Sequence, residues 1–260
     1  MRLSSSHRLS ISDRDAARTL TFAIGDVHGH EGKLEALLQK CERHAAGREM
    51  RVVFIGDYID RGPDSRRTIE RLIELQSRTK SRIVCLRGNH EAVAVAAARD
   101  ALDALGDVDL DVWLSQGGGQ RTLHSYGIAD ARHLPTEHVE WMASLPMSFD
   151  DGARFFVHAG INPARALADQ VEKDLLWMRE PFLSHAADFG RLIVHGHTPT
   201  SNRVPEWHGN RLNVDTAAGY GGPLTAAVFC GQGRKPVAFL ADSMDSPFAL
   251  DASAKAQFRD

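Results

Sequence analysis

Five short motifs bring together residue types that bind metal ions and phosphate. They read GDVHG at 25–29, GDYIDRG at 56–62, GNHE at 88–91, HAG at 158–160 and GHTP at 196–199. Any one of them could be structural, because Asp, Asn and Gly are common in turns. Gly supplies only about 7% of an average sequence, however, so the first three motifs are very unlikely to occur together by chance. The motifs therefore predict one shared chemical site.

The side chains of these motifs offer oxygen and nitrogen donors and no thiolate. Two carboxylates, one amide oxygen and three imidazoles suit a borderline-hard ion such as Mn²⁺, Fe or Zn²⁺. These donors exceed the usual complement of one protein-held ion and fit two ions about 3.5–4 Å apart with a bridging carboxylate. Two divalent cations facing two carboxylates leave a net positive site, which suits a bridging hydroxide and an incoming phosphate dianion.

Each motif follows a short apolar run that is typical of a β-strand. The five runs are 21–24, 51–55, 82–86, 154–157 and 192–194. Open α/β sheets place ligand sites at the carboxyl ends of their strands, so we expect the motifs to converge there.

Helical patterns lie between the first strands, and further strands follow in the second half. Two helical faces are marked by Leu34, Leu37, Leu38 and Cys41, then by Ile69, Leu72 and Ile73. An alanine-rich third helix is predicted at 91–105. The later strands are expected at 204–207, 212–215, 224–229 and 236–240, with a hairpin turn at 208–210. This order predicts an α/β fold with a parallel or mixed sheet. We expect a single catalytic domain at 21–245 between tails at 1–20 and 246–260.

The order GDVHG, GDYIDRG, LRGNHE, HAG and GHTP resembles the phosphoprotein phosphatase family of the metallophosphoesterase superfamily. It is most similar to the small bacterial and phage-type serine/threonine protein phosphatases, over roughly residues 21–229, and WLSQGGG at 113–119 resembles a segment of the phage-type members. The resemblance implies two mixed β-sheets flanked by helices, an αββα sandwich with the metals at the strand ends. It also implies hydrolysis of phosphate monoesters, most of all of phosphoserine and phosphothreonine, by a metal-bridging hydroxide.

The resemblance assigns the metal ligands residue by residue. Asp26 and His28 would hold the first ion, and Asp57 would bridge both ions. The second ion would be held by Asn89, His158 and His197. Mn²⁺ is the expected metal, with Fe or Zn²⁺ as alternatives. His195 precedes the GHTP motif, and we expect it to be buried or to lie behind the ligands rather than to bind metal.

The resemblance also assigns the groups that would act on the substrate. His90 would be the general acid that protonates the departing alkoxide, with Asp60 orienting it. Arg61 would clamp the phosphate, because its planar fork matches two phosphate oxygens. Arg179, in LLWMRE, matches a second phosphate-binding arginine, and Tyr220, in AAGYGG, matches a tyrosine beside the metals. Asn89 would contact substrate as well as metal.

Three other functions share parts of this pattern. Hydrolases of diadenosine polyphosphates have the same fold and a similar HAGINP segment, but their second motif usually lacks the aspartate found here as Asp60, and their third usually ends in Asp instead of Glu91. Phosphodiesterases and nucleases of the superfamily typically read Gly-His-x-His, where this chain has Pro199. A degenerate binding module would lack ligands or the acid, and none of the matched positions is missing.

The charge balance limits the expected partners. Lys plus Arg (31) nearly match Asp plus Glu (34), for a formal charge of −3, which disfavours electrostatic binding to nucleic acid or anionic membrane. No apolar run approaches the roughly 18 residues of a membrane span. The first residues also lack the apolar core of a secretion signal. We expect a cytoplasmic enzyme whose partner is a phosphoprotein or phosphopeptide.

Two further features have a structural interpretation. Cys41, Cys85 and Cys230 are isolated, and we expect buried thiols in a reducing compartment.

The segment 100–111 carries five aspartates. A solvated face is the simpler interpretation of them, and a surface that favours basic phosphopeptides is the alternative.

Overall fold

The structure is a computed structural model that describes residues 19–79, 82–106 and 108–248. Its strands are β1 (Leu20–Ile24), β2 (Met50–Phe54), β3 (Ile83–Cys85), β4 (Ser148–Asp150), β5 (Arg154–Val157), β6 (Leu192–His195), β7 (Glu206–Trp207), β8 (Arg211–Asn213), β9 (Thr225–Cys230) and β10 (Ala238–Ala241). Its α-helices are α1 (Glu31–Ala45), α2 (Ser65–Thr79), α3 (Asn89–Ala98), α4 (Leu110–Val112), α5 (Gly119–Tyr126), α6 (Thr136–Ser144) and α7 (Glu172–Trp177).

The strands form two mixed sheets, which confirms the predicted fold class. The first sheet has the order β10-β9-β1-β2-β3 and the second β4-β5-β6-β8-β7. In the first, β1, β2 and β3 are parallel while β9 runs antiparallel to β1. In the second, β5, β6 and β8 are parallel. The parallel strands in the middle of each sheet therefore direct their carboxyl ends to a common edge.

Alternate residues of the central strands separate two layers of the core. Phe22 and Phe54 face the helices on the outer side of the first sheet. Ala23 and Val53 point to the opposite side, where they pack with Phe156 and other residues of the second sheet. This period of two is the expected behaviour of strands buried on both faces. The helices and sheets therefore stack as an αββα sandwich.

The helices follow the predicted faces, but the third ends early. Leu34, Leu37, Leu38 and Cys41 are buried in α1, as expected. The helix predicted at 91–105 begins at Asn89 and ends at Ala98, and a separate 3₁₀ turn covers Leu102–Leu105. Asp100 adopts a left-handed conformation with φ of 55°, which a continuous α-helix does not allow.

Several strand boundaries differ from prediction at the sheet edges. The strand predicted at 204–207 shortens to Glu206–Trp207, since Pro205 has no N–H to donate and β7 is an edge strand. The edge strand β4 is short and half exposed and has no clear apolar alternation. The hairpin between β7 and β8 is confirmed.

The boundaries of the tails and the burial of one thiol also differ from prediction. Leu20, assigned to the first tail, begins β1, and Phe248, assigned to the second, pairs with Phe239. Residues 1–18 and 249–260 of the two predicted tails lie outside the described residues. Cys41 and Cys85 are buried as expected, whereas Cys230 is exposed where β9 ends. Among the described helices, none combines the length and apolar character needed to cross a bilayer.

Candidate metal centre

The five motifs converge at the carboxyl ends of five strands, as the sequence predicts. They follow β1, β2, β3, β5 and β6. Their side chains come from both sheets, because β1–β3 belong to the first and β5 and β6 to the second. The site therefore lies across the shared edge of the sandwich.

Glu91 fixes the shape of the loop after β2. Its carboxylate accepts hydrogen bonds from the backbone N–H groups of Asp57 (2.9 Å), Tyr58 (2.7 Å), Ile59 (3.3 Å) and Gly88 (2.9 Å). It is fully buried at the start of α3. One side chain thus ties the turn that carries Asp57 to the helix that carries Asn89 and His90.

Five side chains of the site stand on strained backbone. Their positive φ angles lie between 47° and 71°, in the left-handed region that costs on the order of 1 kcal/mol or more for a residue with a Cβ. They are His28, Asp57, Asp60, Arg61 and His197. Such strain persists only where surrounding contacts impose it, and it clusters at functional sites.

Three atoms that can bind a metal ion meet at one side of the site. Nε2 of His158 lies 2.9 Å from Oδ1 of Asn89 and 3.2 Å from Nδ1 of His197, and the last two atoms are 2.9 Å apart. Nδ1 of His158 donates to the carbonyl oxygen of Ile55 (3.1 Å), so its Nε2 presents a lone pair. A lone pair, an amide oxygen and a second imidazole nitrogen at these distances form a set of ligand atoms that fits a metal cation.

A second group of donors lies on the other side of Asp57. Nε2 of His28 and Nε2 of His90 are 3.6 Å and 3.7 Å from Oδ2 of Asp57, while Nε2 of His158 is 3.4 Å from its Oδ1. Nδ1 of His28 donates to the carbonyl oxygen of Ile59 (2.8 Å), which leaves Nε2 free to act as a ligand. Asp57 therefore joins both groups, the position expected of a bridging carboxylate.

Asp26 completes the carboxylate side of the site. Its carboxylate accepts from the backbone N–H of His197 (3.0 Å), and it is buried. Burial and the charges of Asp215 and Asp57 raise the pKa of Asp26 well above its ordinary value. Burial and the charge of Asp57 also help to raise the pKa of Asp215 to about 6. Three buried carboxylates this close repel one another unless cations lie between them.

Three histidines around Asp57 have lowered pKa values, which suit metal binding. Burial lowers the pKa of His28 and of His158, and it lowers that of His197 to about 2, with the charge of His158 adding to the effect. Neutral imidazoles are the form that binds metal. Burial acts to raise the pKa of Asp57, but His158, His90 and His28 outweigh it, so this pKa is lowered and Asp57 stays ionised. The donor set fits divalent metal ions.

His90 is held by Asp60 in a buried network. Nδ1 of His90 lies 2.5 Å from Oδ2 of Asp60, which also accepts from the indole N–H of Trp113 (2.7 Å). The other oxygen of Asp60 accepts from the hydroxyl of Thr122 (2.5 Å). Three side chains thus hold the Asp60 carboxylate in place, and Nε2 of His90 faces Asp57, 3.7 Å from its Oδ2.

Arg61 lies between His28 and Tyr220. Its guanidinium contacts Nε2 of His28, the atom that a metal ion would use, so that contact and a bound ion exclude each other. The guanidinium also stacks on the ring of Tyr220, 4.7 Å from the centroid. A Cβ on Gly118 would come within 2.5 Å of the Arg61 backbone nitrogen, which explains the need for glycine in the WLSQGGG segment.

Arg179 and Tyr220 are the two other residues that the resemblance assigns to the substrate. Arg179 is exposed and near enough for its charge to act on His197 and Asp215. Tyr220 is 56% exposed and contacts Arg61. His195 is buried against Phe182, with ring centroids 5.0 Å apart, and lies outside both donor groups.

The sequence analysis assigns no role to three residues of the site. Trp113, which begins the WLSQGGG segment, and Thr122 bind Asp60 from segments far along the chain, so no local spacing could indicate these contacts. Asp215 follows the carboxyl end of β8, and its position after a predicted strand was an available signal. It lacks the flanking glycine motif that marked the others.

Comparison with known proteins places the chain in a family. The sequence profile of the calcineurin-like phosphoesterases matches residues 20–231. The chain is similar to serine/threonine-protein phosphatase 1 of Salmonella typhimurium, with 30% identity over 214 residues, 79% of this chain and 90% of the relative. It is also similar to the asymmetrical bis(5'-nucleosyl)-tetraphosphatase PrpE of Anoxybacillus flavithermus, with 28% identity over 78% of this chain and 87% of that one.

The fold has a similar counterpart among solved structures. A crystal structure described as that of a candidate diadenosine tetraphosphatase superposes with a TM-score of 0.62 and 21% identity, covering 89% of this chain and 98% of the other. At that identity the likeness concerns the fold. Because the family profile spans most of the chain and a relative at 30% identity is matched over 90% of its length, the chain belongs to the calcineurin-like phosphoesterase family.

Proposed function

We propose that this phosphoesterase is a two-metal phosphate monoesterase whose substrates are proteins phosphorylated on serine or threonine. The observation that carries the proposal is the buried pair of His90 and Asp60, 2.5 Å apart beside the donor atoms. An alkoxide leaving group departs poorly unless it receives a proton. The pair supplies a protonated imidazole where such a leaving group would need it.

The roles of the ligands follow from the donor geometry. Asp26, His28 and Asp57 would hold one ion, and Asp57, Asn89, His158 and His197 the other. Bound ions would supply positive charge for the phosphoryl oxygens and lower the pKa of an attacking water. The oxygen and imidazole donors favour Mn²⁺, with Fe or Zn²⁺ as alternatives.

The substrate-facing roles belong to groups of the chain itself. His90 would donate the proton on Nε2 to the leaving oxygen, while Asp60 keeps Nδ1 protonated through its hydrogen bond. Arg61 would leave Nε2 of His28 and direct its fork to two phosphoryl oxygens. Its Nε is buried without a partner among the described residues, so the side chain has capacity for a further acceptor. Arg179 would approach the phosphate from the side of His197.

A dinucleoside tetraphosphatase is the second candidate, because one relative at 28% identity has that activity in its name. There the leaving group is a nucleotide phosphate, which departs without a proton. An acid held as firmly as His90 would then contribute little. This difference favours the phosphoprotein.

A side-by-side assay separates the two candidates. The enzyme loaded with Mn²⁺ is given a phosphoserine peptide and diadenosine tetraphosphate at equal concentrations, and phosphate and nucleotide release are followed. Asp57→Asn is the control, since loss of the shared carboxylate should remove both activities and reveals any contaminating hydrolase. The proposal expects a higher kcat/KM on the peptide. A clear preference for the dinucleotide would refute it.

A further inference from the structure

A cleft of about 300 Å³ opens beside His90 and is not used by the assignments above. Its floor includes Asn89 and His90. Asp109, just before α4, Val112, at the end of α4, and Trp177, at the end of α7, contribute to the lining. The cleft therefore begins at the proposed acid and runs out to the surface beside α4.

The position of the cleft relative to His90 determines what can enter it. On the proposed function, Nε2 of His90 faces the oxygen that leaves with the protein side chain. The chain that carries the phosphorylated residue must then continue away from that oxygen on the His90 side. The cleft lies along this path, so it would receive the neighbours of the phosphorylated residue.

Much of the cleft lining is apolar. Val93, Val108, Val112 and the indoles of Trp113 and Trp177 contribute to its lining. Val112 is 49% exposed, which is high for a large apolar side chain at the mouth of a cleft. A side chain that covered it would remove apolar surface from water on both partners.

One exposed carboxylate, that of Asp109, lines the cleft. Asp103 and Asp111 are exposed nearby along the chain but do not line it. None of these three forms an ion pair with another described residue. Among the described lining residues Arg61 is the permanently charged cation, and it lies beside the proposed acid His90. A polyphosphate leaving past Asp109 would meet a carboxylate of its own sign, whereas a basic side chain would meet opposite charge.

We propose that this cleft selects phosphopeptides with an apolar residue next to the phosphorylated one and a basic residue beyond it. The apolar side chain covers Val112 and Trp177, and the basic side chain lies against Asp109. The proposal rests on the proposed function, because it assumes a peptide leaving group. The inference adds which residues the enzyme prefers on either side of the phosphorylated one.

Two pairs of phosphoserine peptides test the selection. The first pair carries Leu or Ser on both sides of the phosphoserine, and the second carries Lys or Glu at the next positions out. We expect Leu to raise kcat/KM roughly fivefold over Ser, the effect of half-burying one such side chain. Lys should exceed Glu by about threefold at low salt, as for an exposed ion pair. Each rate is divided by that on p-nitrophenyl phosphate for the same enzyme.

Matched variants assign each preference to its wall. Val112→Ser should bring the Leu-to-Ser ratio toward one, and Leu110→Ser, on the same helix and outside this cleft, should not. Asp109→Asn should abolish the Lys-to-Glu ratio. Asn preserves the cap in which Oδ1 of Asp109 accepts from the backbone N–H of Val112 (3.0 Å), so folding is not at issue. Asp103→Asn is the control for charge outside the cleft.

The outcomes separate this inference from the function on which it rests. If wild-type enzyme hydrolyses all four peptides at similar rates, the cleft does not select and the inference is wrong, while the phosphatase stands. If Leu110→Ser or Asp103→Asn changes the ratios as much as the cleft variants do, the cleft is the wrong surface. If p-nitrophenyl phosphate and diadenosine tetraphosphate are cleaved and no phosphopeptide is, the proposed function fails first and the inference with it.

Discussion

Oδ2 of Asp60 lies 2.5 Å from Nδ1 of His90, and both side chains are buried. Burial alone lowers the pKa of His90, but the charge of Asp57 and the hydrogen bond and charge of Asp60 outweigh it. The pKa of His90 is therefore raised above its ordinary value of about 6.5. The protonated imidazole then persists to higher pH than in an ordinary histidine.

This relationship predicts a shift in the pH profile of Asp60→Asn. The acid form of His90 exists below its pKa, so activity on phosphoserine falls as pH rises through that value. Removing the carboxylate lowers the pKa, and the alkaline limb of kcat/KM should move to lower pH. The profile is measured from pH 5 to 9 with metal content checked at each end. An alkaline limb at the wild-type position would show that Asp60 does not control the proton on His90.

Trp113→Phe should weaken the hydrogen-bonded pair of His90 and Asp60. Phenylalanine keeps most of the packing but removes the N–H that lies 2.7 Å from Asp60. We expect roughly a tenfold loss on phosphoserine peptide, equivalent to one buried hydrogen bond to a charged group.

Trp141→Phe is the matched control for that substitution. The indole N–H of Trp141 bonds Gln76 instead (2.8 Å), and it should leave activity near wild type. Equal losses in both variants would point to general destabilisation.

Glu91→Gln should destabilise the fold more than it changes the chemistry. An amide keeps one acceptor oxygen where the carboxylate has two, so some of the four backbone N–H groups lose their partner in the core. The expected cost is about 2–4 kcal/mol in the free energy of unfolding, measured by urea titration of the metal-free protein.

Glu70→Gln, on the exposed side of α2, is the comparison for Glu91→Gln. Glu70 bonds Arg66 at the surface (2.9 Å), and the change should cost less than about 0.5 kcal/mol. A Glu91 variant as stable as the Glu70 variant would mean that the loop after β2 holds its shape without that carboxylate.

The clustered carboxylates predict how metal-free protein responds to pH. The raised pKa of Asp26 and the pKa of about 6 for Asp215 mean that the folded state holds protons that the unfolded state releases near pH 4. Their contribution to stability is present below about pH 4 and is lost as pH rises through about 6. Chelated protein should therefore lose the contribution of these two carboxylates across that interval. The histidines whose pKa burial lowers act in the opposite direction, so the carboxylate contribution is isolated by comparing wild type with Asp215→Asn.

Adding Mn²⁺ at pH 7 should restore the stability of the chelated protein, because an ion that binds only the folded state stabilises it. Asp215→Asn should also raise the Tm of chelated protein at pH 7. If Asp215→Asn changed the Tm of chelated protein by the same amount at pH 4 and at pH 7, that result would contradict the electrostatic account of the site.

The sequence predicts the location of the site better than its internal contacts. Short apolar runs and helical patterns in the sequence predict the motifs at strand ends, and parallel strands bring their carboxyl ends to one edge of a sheet. The end of α3 was misplaced because Asp100, not a glycine, adopts the left-handed conformation there, and an alanine-rich run has no other stop signal.

The contacts to Asp60 could not be predicted because they come from tertiary packing. Trp113 lies 53 residues from Asp60 and Thr122 lies 62 residues from it. No periodic pattern links such positions. Asp215 could have been found, since it stands where a predicted strand ends, as the other site carboxylates do.

The most direct test of the account is a leaving-group series on His90→Asn with both metals verified by elemental analysis. If His90 is the acid, hydrolysis of phosphoserine should fall on the order of 10²–10⁴-fold. Hydrolysis of p-nitrophenyl phosphate should fall far less, since its leaving group departs without a proton. Equal losses on the alkyl and aryl esters, with metal content unchanged, would contradict acid catalysis by His90.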